Sequence, residues 1–213
     1  MSGSAVATLD RLGRARRERL RAECAELAEL SDVEFGVRLL ADTPTHENRA
    51  PELLRRWASV ATEFGAGLVG EGRDRAPRVV ERAGGVEQLL LAKYVSRPVP
   101  TVELFTDTLA LGEELVDLLG WRESYADGAL RAAALAHEEA HLLLHGDVAL
   151  RRALRERLGH TALRLGRFRI TAHVAGADEL VAHGYAAASR GLGRSPLLLT
   201  AALASAVRAL AQD

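Results

Sequence analysis

The sequence predicts a predominantly helical α+β protein, and three observations carry that reading. Leucines and alanines recur at the three-to-four-residue spacing of amphipathic helices through most of the chain. The stretch RPVPTVELFTD has two prolines, then an alternation of Val102 and Leu104 with polar partners, the pattern of a strand. The hydrophobic fraction is 48% but the aromatic fraction only 4%, so aliphatic side chains must fill the core. A chain of 213 residues is long enough to bury a sizeable one.

Residues 8–30 place leucines at 9, 12, 20, 27 and 30 among many charges, which predicts an exposed amphipathic helix carrying Cys24. A second helix is expected over 49–64, with Pro51 in its first turn and Trp57 facing inward. The glycine-rich, charged run from 65 to 85 marks a boundary between a helical N-terminal region, 1–85, and a second domain, 86–213. VEQLLLAKYVSR then reads as a helix, and a strand follows near 100–106. A helix over 107–119 is expected to be capped by Asp107 or Thr108 and closed by Gly120. The next runs from about Asp127, a candidate cap, to His145, with Gly146 as its stop. Further helices are expected over 148–158, 176–190 and 195–211, and FRITAHV, 168–174, suits a short strand or a helix start. No repeat of fixed period is visible.

The balance of charge disfavours some partners. With 28 basic and 29 acidic residues the formal net charge is −1, so nothing in the balance demands a nucleic acid or an anionic membrane. No apolar run reaches the length of a membrane span, and the first twenty residues lack the apolar core of a signal peptide. A single cysteine cannot form an internal disulfide and suits a reducing, cytoplasmic setting.

Chemistry concentrates in ALAHEEAHLLLHG, where His137, Glu138, Glu139, His141 and His145 occupy nine positions of an otherwise apolar segment. His137 and His141 lie one helical turn apart on one face, so both can bind one metal ion, in the pattern H-E-x-x-H. Glu138 need not ligate and can take a proton from water activated by the metal. The helix is apolar nearly all round and is expected to be buried. Ionisable groups buried there need pairing or coordination, since leaving them bare costs several kcal/mol, about what a metal would offset. Two histidines leave a zinc site short of a ligand. The alanine-rich helix ADELVAHGYAAA supplies Glu179 as the third, with His183 one turn on.

HEEAHLLLH followed by E-L-V-A-H-G-Y-A resembles the short catalytic core of ImmA/IrrE-type zinc peptidases over roughly residues 127–190. There an H-E-x-x-H-L-L-x-H helix precedes a second helix reading E-x-x-A-x-x-F-A. The resemblance implies His137, His141 and Glu179 as ligands of one Zn2+ per chain and Glu138 as general base. It also implies a minimal zincin-like core with a small sheet. Tyr185 stands where that family has phenylalanine, and His183 where asparagine is more common.

These residues predict a zinc metallopeptidase that hydrolyses a peptide or protein substrate. The expected strand near 100–106 would receive that substrate along its edge. Besides a helical core of hydrogen-bonded histidines with no metal, two other readings stay open. One is a non-catalytic zinc-binding regulatory or interaction protein, with His145 or His183 as a fourth ligand. The other is a ferritin-like di-iron bundle, for which Glu179-x-x-x-His183 is one residue too long. In the remaining roles, Glu139 is expected to make structural hydrogen bonds, His183 to orient Glu179, and His173 to be a weaker candidate for stabilising an oxyanion. His46 and His160 read as surface or turn residues.

Overall fold

The structure is a computed structural model that describes residues 8–70, 77–165 and 168–211. Among these the chain is mostly helical, with a three-stranded sheet and a two-stranded hairpin, which agrees with the α+β expectation. After a short 3-10 turn at Leu9–Arg11 come helices α1 (Arg14–Ala28), α2 (Asp32–Ala41) and α3 (Pro51–Ala66). Strand β1 (Arg78–Arg82), strand β2 (Ala92–Val95) and strand β3 (Thr101–Phe105) precede α4 (Thr106–Leu119) and α5 (Ala129–Gly146). Then follow α6 (Val148–Leu158), the strands β4 (Thr161–Leu165) and β5 (Phe168–Thr171), α7 (Ala177–Arg190) and α8 (Pro196–Ala211).

Several elements differ from the sequence-based expectation. Helix α2 was not anticipated, although Ser31-x-x-Glu34 is a capping box: the Glu34 N–H bonds to Ser31 Oγ while Glu34 Oε2 accepts from the Ser31 N–H at 2.7 Å. The helix expected over VEQLLLAKYVSR is instead a 3-10 turn, Val86–Gln88, followed by β2. Leu89 has φ +54°, which ends the turn, and Lys93, Tyr94 and Val95 extend as residues with aromatic and β-branched neighbours do. The expected cap of α5 is displaced as well. Asp127 pairs with Arg122 at 3.1 Å, and Gly128, at φ +75°, takes the cap position. Asp107 does not cap its own helix either; its carboxylate accepts the N–H groups of Gly84 and Gly85 from the loop before the 3-10 turn. Residues 71–76 of the expected boundary run lie outside the described residues.

The sheet order is β1-β3-β2. β3 runs parallel to β1 and antiparallel to β2, with Val102 opposite Tyr94 and Leu104 opposite Ala92. β3 is therefore the central strand and is buried at Val102, Leu104 and Phe105.

Two hydrophobic clusters form the core, and α5 belongs to both. Ala136, Ala140, Leu143 and Leu144 face the cluster built by α2, α3, α6 and α7, where Trp57 is buried as expected and donates its indole N–H to the Leu158 carbonyl at 3.1 Å. Leu130 and Ala134 face the cluster of α1, α4, β3 and α8. Cys24 is fully buried in this second cluster, contrary to the exposed helix face expected for it. His46, expected at the surface, is also buried; its Nδ1 lies 2.9 Å from the Leu40 carbonyl and its ring rests against Trp57.

α3 and α7 touch through their backbones. A Cβ placed on Gly65 would sit 2.0 Å from the Val181 carbonyl oxygen, and one on Gly184 would sit 2.2 Å from that of Thr62. Only glycine allows this approach at either position, and the approach sets where α7 lies. No helix among the described residues is long and apolar enough to cross a membrane.

Candidate metal centre

α5 is apolar on nearly every face, so its polar residues need partners within the fold. His137 and His141 project from one face toward the first turn of α7, where Glu179 stands. The two Nε2 atoms are 3.1 Å apart. His137 Nε2 lies 3.3 Å from Glu179 Oε2, and His141 Nε2 lies 3.2 Å from Glu179 Oε1. One ligand atom from each of the three residues lies within 4.8 Å of the others, so the group could hold a metal ion.

The separations are compatible with ligands gathered around one small metal ion. Four ligands about 2.0–2.1 Å from a tetrahedral zinc ion stand about 3.3 Å apart. The donor set of two imidazoles and a carboxylate also fits. The side chains of His137 and His141 are 18% and 16% exposed and that of Glu179 is 49% exposed, so the triad is closed by protein on one side and open on the other.

The electrostatics of the triad reflect the same contacts. Hydrogen bonds from the His137 and His141 imidazoles hold the Glu179 carboxyl well below the usual carboxylate range, against the opposing effect of burial. Burial disfavours charge on His141, but its bond to Glu179 and the charges of Glu179, Glu138 and Asp178 outweigh that and raise it.

Glu138 is buried on the neighbouring face of α5, and its Oε2 accepts the Tyr94 backbone N–H at 3.0 Å. The carboxylate therefore reaches β2 instead of joining the triad. A cavity of about 190 Å³ opens here, with His137, Glu138, Glu179 and His183 all in its wall.

Substrate pairing with the strand at 100–106 is excluded by the sheet order, because both sides of β3 are occupied. The strand beside α5 with an open side is β2. Leu91 accepts the Phe105 N–H at 3.0 Å, while the Tyr94 N–H points the other way, to Glu138. By the two-residue alternation of a strand, Ala92 and Tyr94 share that outer side.

The other histidines fall around the triad in different ways. His183 packs its ring on His137, with centroids 4.6 Å apart, and its buried Nδ1 has no hydrogen-bond partner among the described residues. Burial, and next the nearby His137, hold it well below the ordinary imidazole value. The ring of His145 stacks on His141 at 5.9 Å, but His145 is exposed and is not one of the three converging ligands. His173 is exposed and away from the cavity wall. Glu139 faces Tyr185 and Arg190, bonding the Tyr185 hydroxyl, as the helical wheel implied.

Comparison with models of known protein families, with curated proteins and with solved structures finds no match for this chain.

Proposed function

We propose that the protein is a zinc-dependent peptidase in which His137, His141 and Glu179 hold one zinc ion and Glu138 is the general base. The observation that carries this reading is the mutual 3.1, 3.2 and 3.3 Å spacing of three ligand side chains beside a cavity that Glu138 also lines. When bound, zinc supplies Lewis acidity toward a water molecule and toward the carbonyl of the bond to be cut. Glu138 accepts the proton that this water gives up and passes it to the departing amine. The Tyr94 N–H engages Oε2 of that carboxylate, which leaves Oε1 for the proton and fixes the rotamer that presents it. An extended peptide would lie along the free side of β2, bonded by Ala92 and the Tyr94 carbonyl.

Elemental mass spectrometry of untagged wild type and Glu179→Ala tests the site. One zinc per wild-type chain, largely lost in the variant, supports it. No metal in either, or iron near two per chain, overturns it. Peptide-library cleavage by wild type and Glu138→Gln tests the chemistry. Zinc in both proteins with cleavage by neither would make the chain a non-catalytic zinc-binding protein.

A further inference from the structure

The cavity beside the triad is mainly apolar. Leu89, Leu90, Leu91, Leu130, Leu192 and Leu199 contribute to its wall. Its charged groups are Glu138 and Glu179, and each already has a partner, Glu138 in the Tyr94 N–H and Glu179 in the two imidazoles. A lysine or arginine side chain placed inside would surrender its hydration against leucine side chains, and pairing with Glu138 would occupy the carboxylate oxygen that the chemistry needs. An aspartate or glutamate would face two carboxylates. An apolar group would replace water against leucine side chains, which is favourable in proportion to the area covered.

Volume narrows the choice further. An apolar cavity of about 150 Å³ accommodates a benzene molecule. The 190 Å³ here has room for a side chain of leucine to phenylalanine size. Its location ties that side chain to the peptide backbone. The wall includes Leu91 and Ala92, where β2 begins, and also His137, Glu138 and Glu179. A chain lying along β2 would thus pass the triad with one side chain directed into the leucine-lined space.

We propose that this cavity is a specificity pocket for a leucine, methionine or phenylalanine side chain adjoining the peptide bond that is cut. The assignment rests on the peptidase reading for its chemistry, while the space itself does not depend on a metal. It makes the substrate class peptides with an apolar residue next to the scissile bond.

The test has two arms, both on the full chain. In the first, toluene is titrated into methyl-labelled protein, as purified and after chelation, while the Leu130 and Leu199 methyl resonances are followed. Saturable shifts in both samples are expected, and their absence overturns the pocket. In the second, calorimetry on zinc-loaded protein compares leucine hydroxamate with acetohydroxamate and lysine hydroxamate. Leucine hydroxamate should bind about ten- to hundredfold more tightly than acetohydroxamate, from burial of one side chain. A ratio near one, or a preference for lysine, overturns the proposal and leaves the zinc peptidase reading standing. Failure to load zinc while toluene still shifts the methyls overturns the peptidase reading and, with it, the pocket's role in peptide selection. Ala134→Phe should fill the cavity and abolish both responses. Leu199→Ala should enlarge it and move the preference toward phenylalanine hydroxamate, and unchanged ratios in both variants would count against the pocket.

Discussion

The backbone N–H of Tyr94 donates to Glu138 Oε2 at 3.0 Å, so the sheet holds the carboxylate that follows the first histidine of the triad. The two residues are 44 positions apart in sequence. Glutamine retains a carbonyl oxygen that can accept the same bond but cannot take a proton. Glu138→Gln is therefore expected to fold and bind zinc as wild type does, with peptide cleavage reduced about 10²- to 10⁴-fold. Glu138→Leu leaves the Tyr94 N–H without its partner, and urea titration should show a loss of about 1–3 kcal/mol.

Gly65 and Gly184 are each pressed against a carbonyl of the facing helix. Gly65→Ala or Gly184→Ala should lower stability by about 1–3 kcal/mol or more, because backbone cannot yield as a side-chain tip can. Both variants should also bind zinc more weakly, since any separation of α3 from α7 moves Glu179 away from His137 and His141. Zinc titration against a chromogenic chelator measures this; unchanged affinity in a destabilised variant would show that α7 is placed by other contacts.

Asp107 gives the protein a specific acid sensitivity. Burial opposes its ionisation, but the N–H groups of Gly84, Gly85, Thr108 and Val86 outweigh burial and lower its pKa in the folded state. A depressed folded value means that this contribution is fully present above the unfolded value near 3.9 and is lost as pH falls below it. Asp107→Ala should cost about 1 kcal/mol at pH 7. That deficit should shrink between pH 4 and pH 2 in denaturant melts, and a constant deficit would refute the assignment.

Cys24 has no exposed surface, and burial, with the charge of Glu23, pushes its thiol up to about 11. A thiol so placed offers neither access nor thiolate at neutral pH. Ellman's reagent at pH 8 should label none of the native protein over minutes and one thiol per chain in denaturant. Rapid native labelling would mean that α1 separates readily from α8.

The convergence of His137, His141 and Glu179 was legible in the sequence because it rests on local patterns. The i, i+4 spacing of His137 and His141 needs only a helix, and the apolar residues around them report that the helix is buried. Glu179 was found by the same logic, as a carboxylate in an alanine-rich segment. β2 was not legible: the apolar run Leu89, Leu90, Leu91, Ala92 has no period of its own, and only pairing with β3 sets the strand Ala92–Val95 that starts at its end. The partner of Glu138 was hidden for the same reason, since a backbone N–H carries no sequence signature. Asp107 and Asp127 read as caps in the sequence, yet in the fold one binds loop N–H groups and the other pairs with Arg122. His46 gave no sign of burial, because its neighbours Pro44, Thr45, Glu47 and Asn48 read as a turn.

Because α5 is the shared wall of both hydrophobic clusters, it has no partial unfolding route of its own. Exposing its amides requires opening the contacts of α6 and α7 on one side and of α4, β2 and β3 on the other. Its central amides should accordingly exchange with deuterium only at the rate set by global unfolding, in the slowest group of the chain. The first turn of α7, with Glu179 half exposed, should exchange in a faster group. The histidine pair would then be the permanent part of the centre and the glutamate its opening arm, so a metal ion would enter and leave from the α7 side.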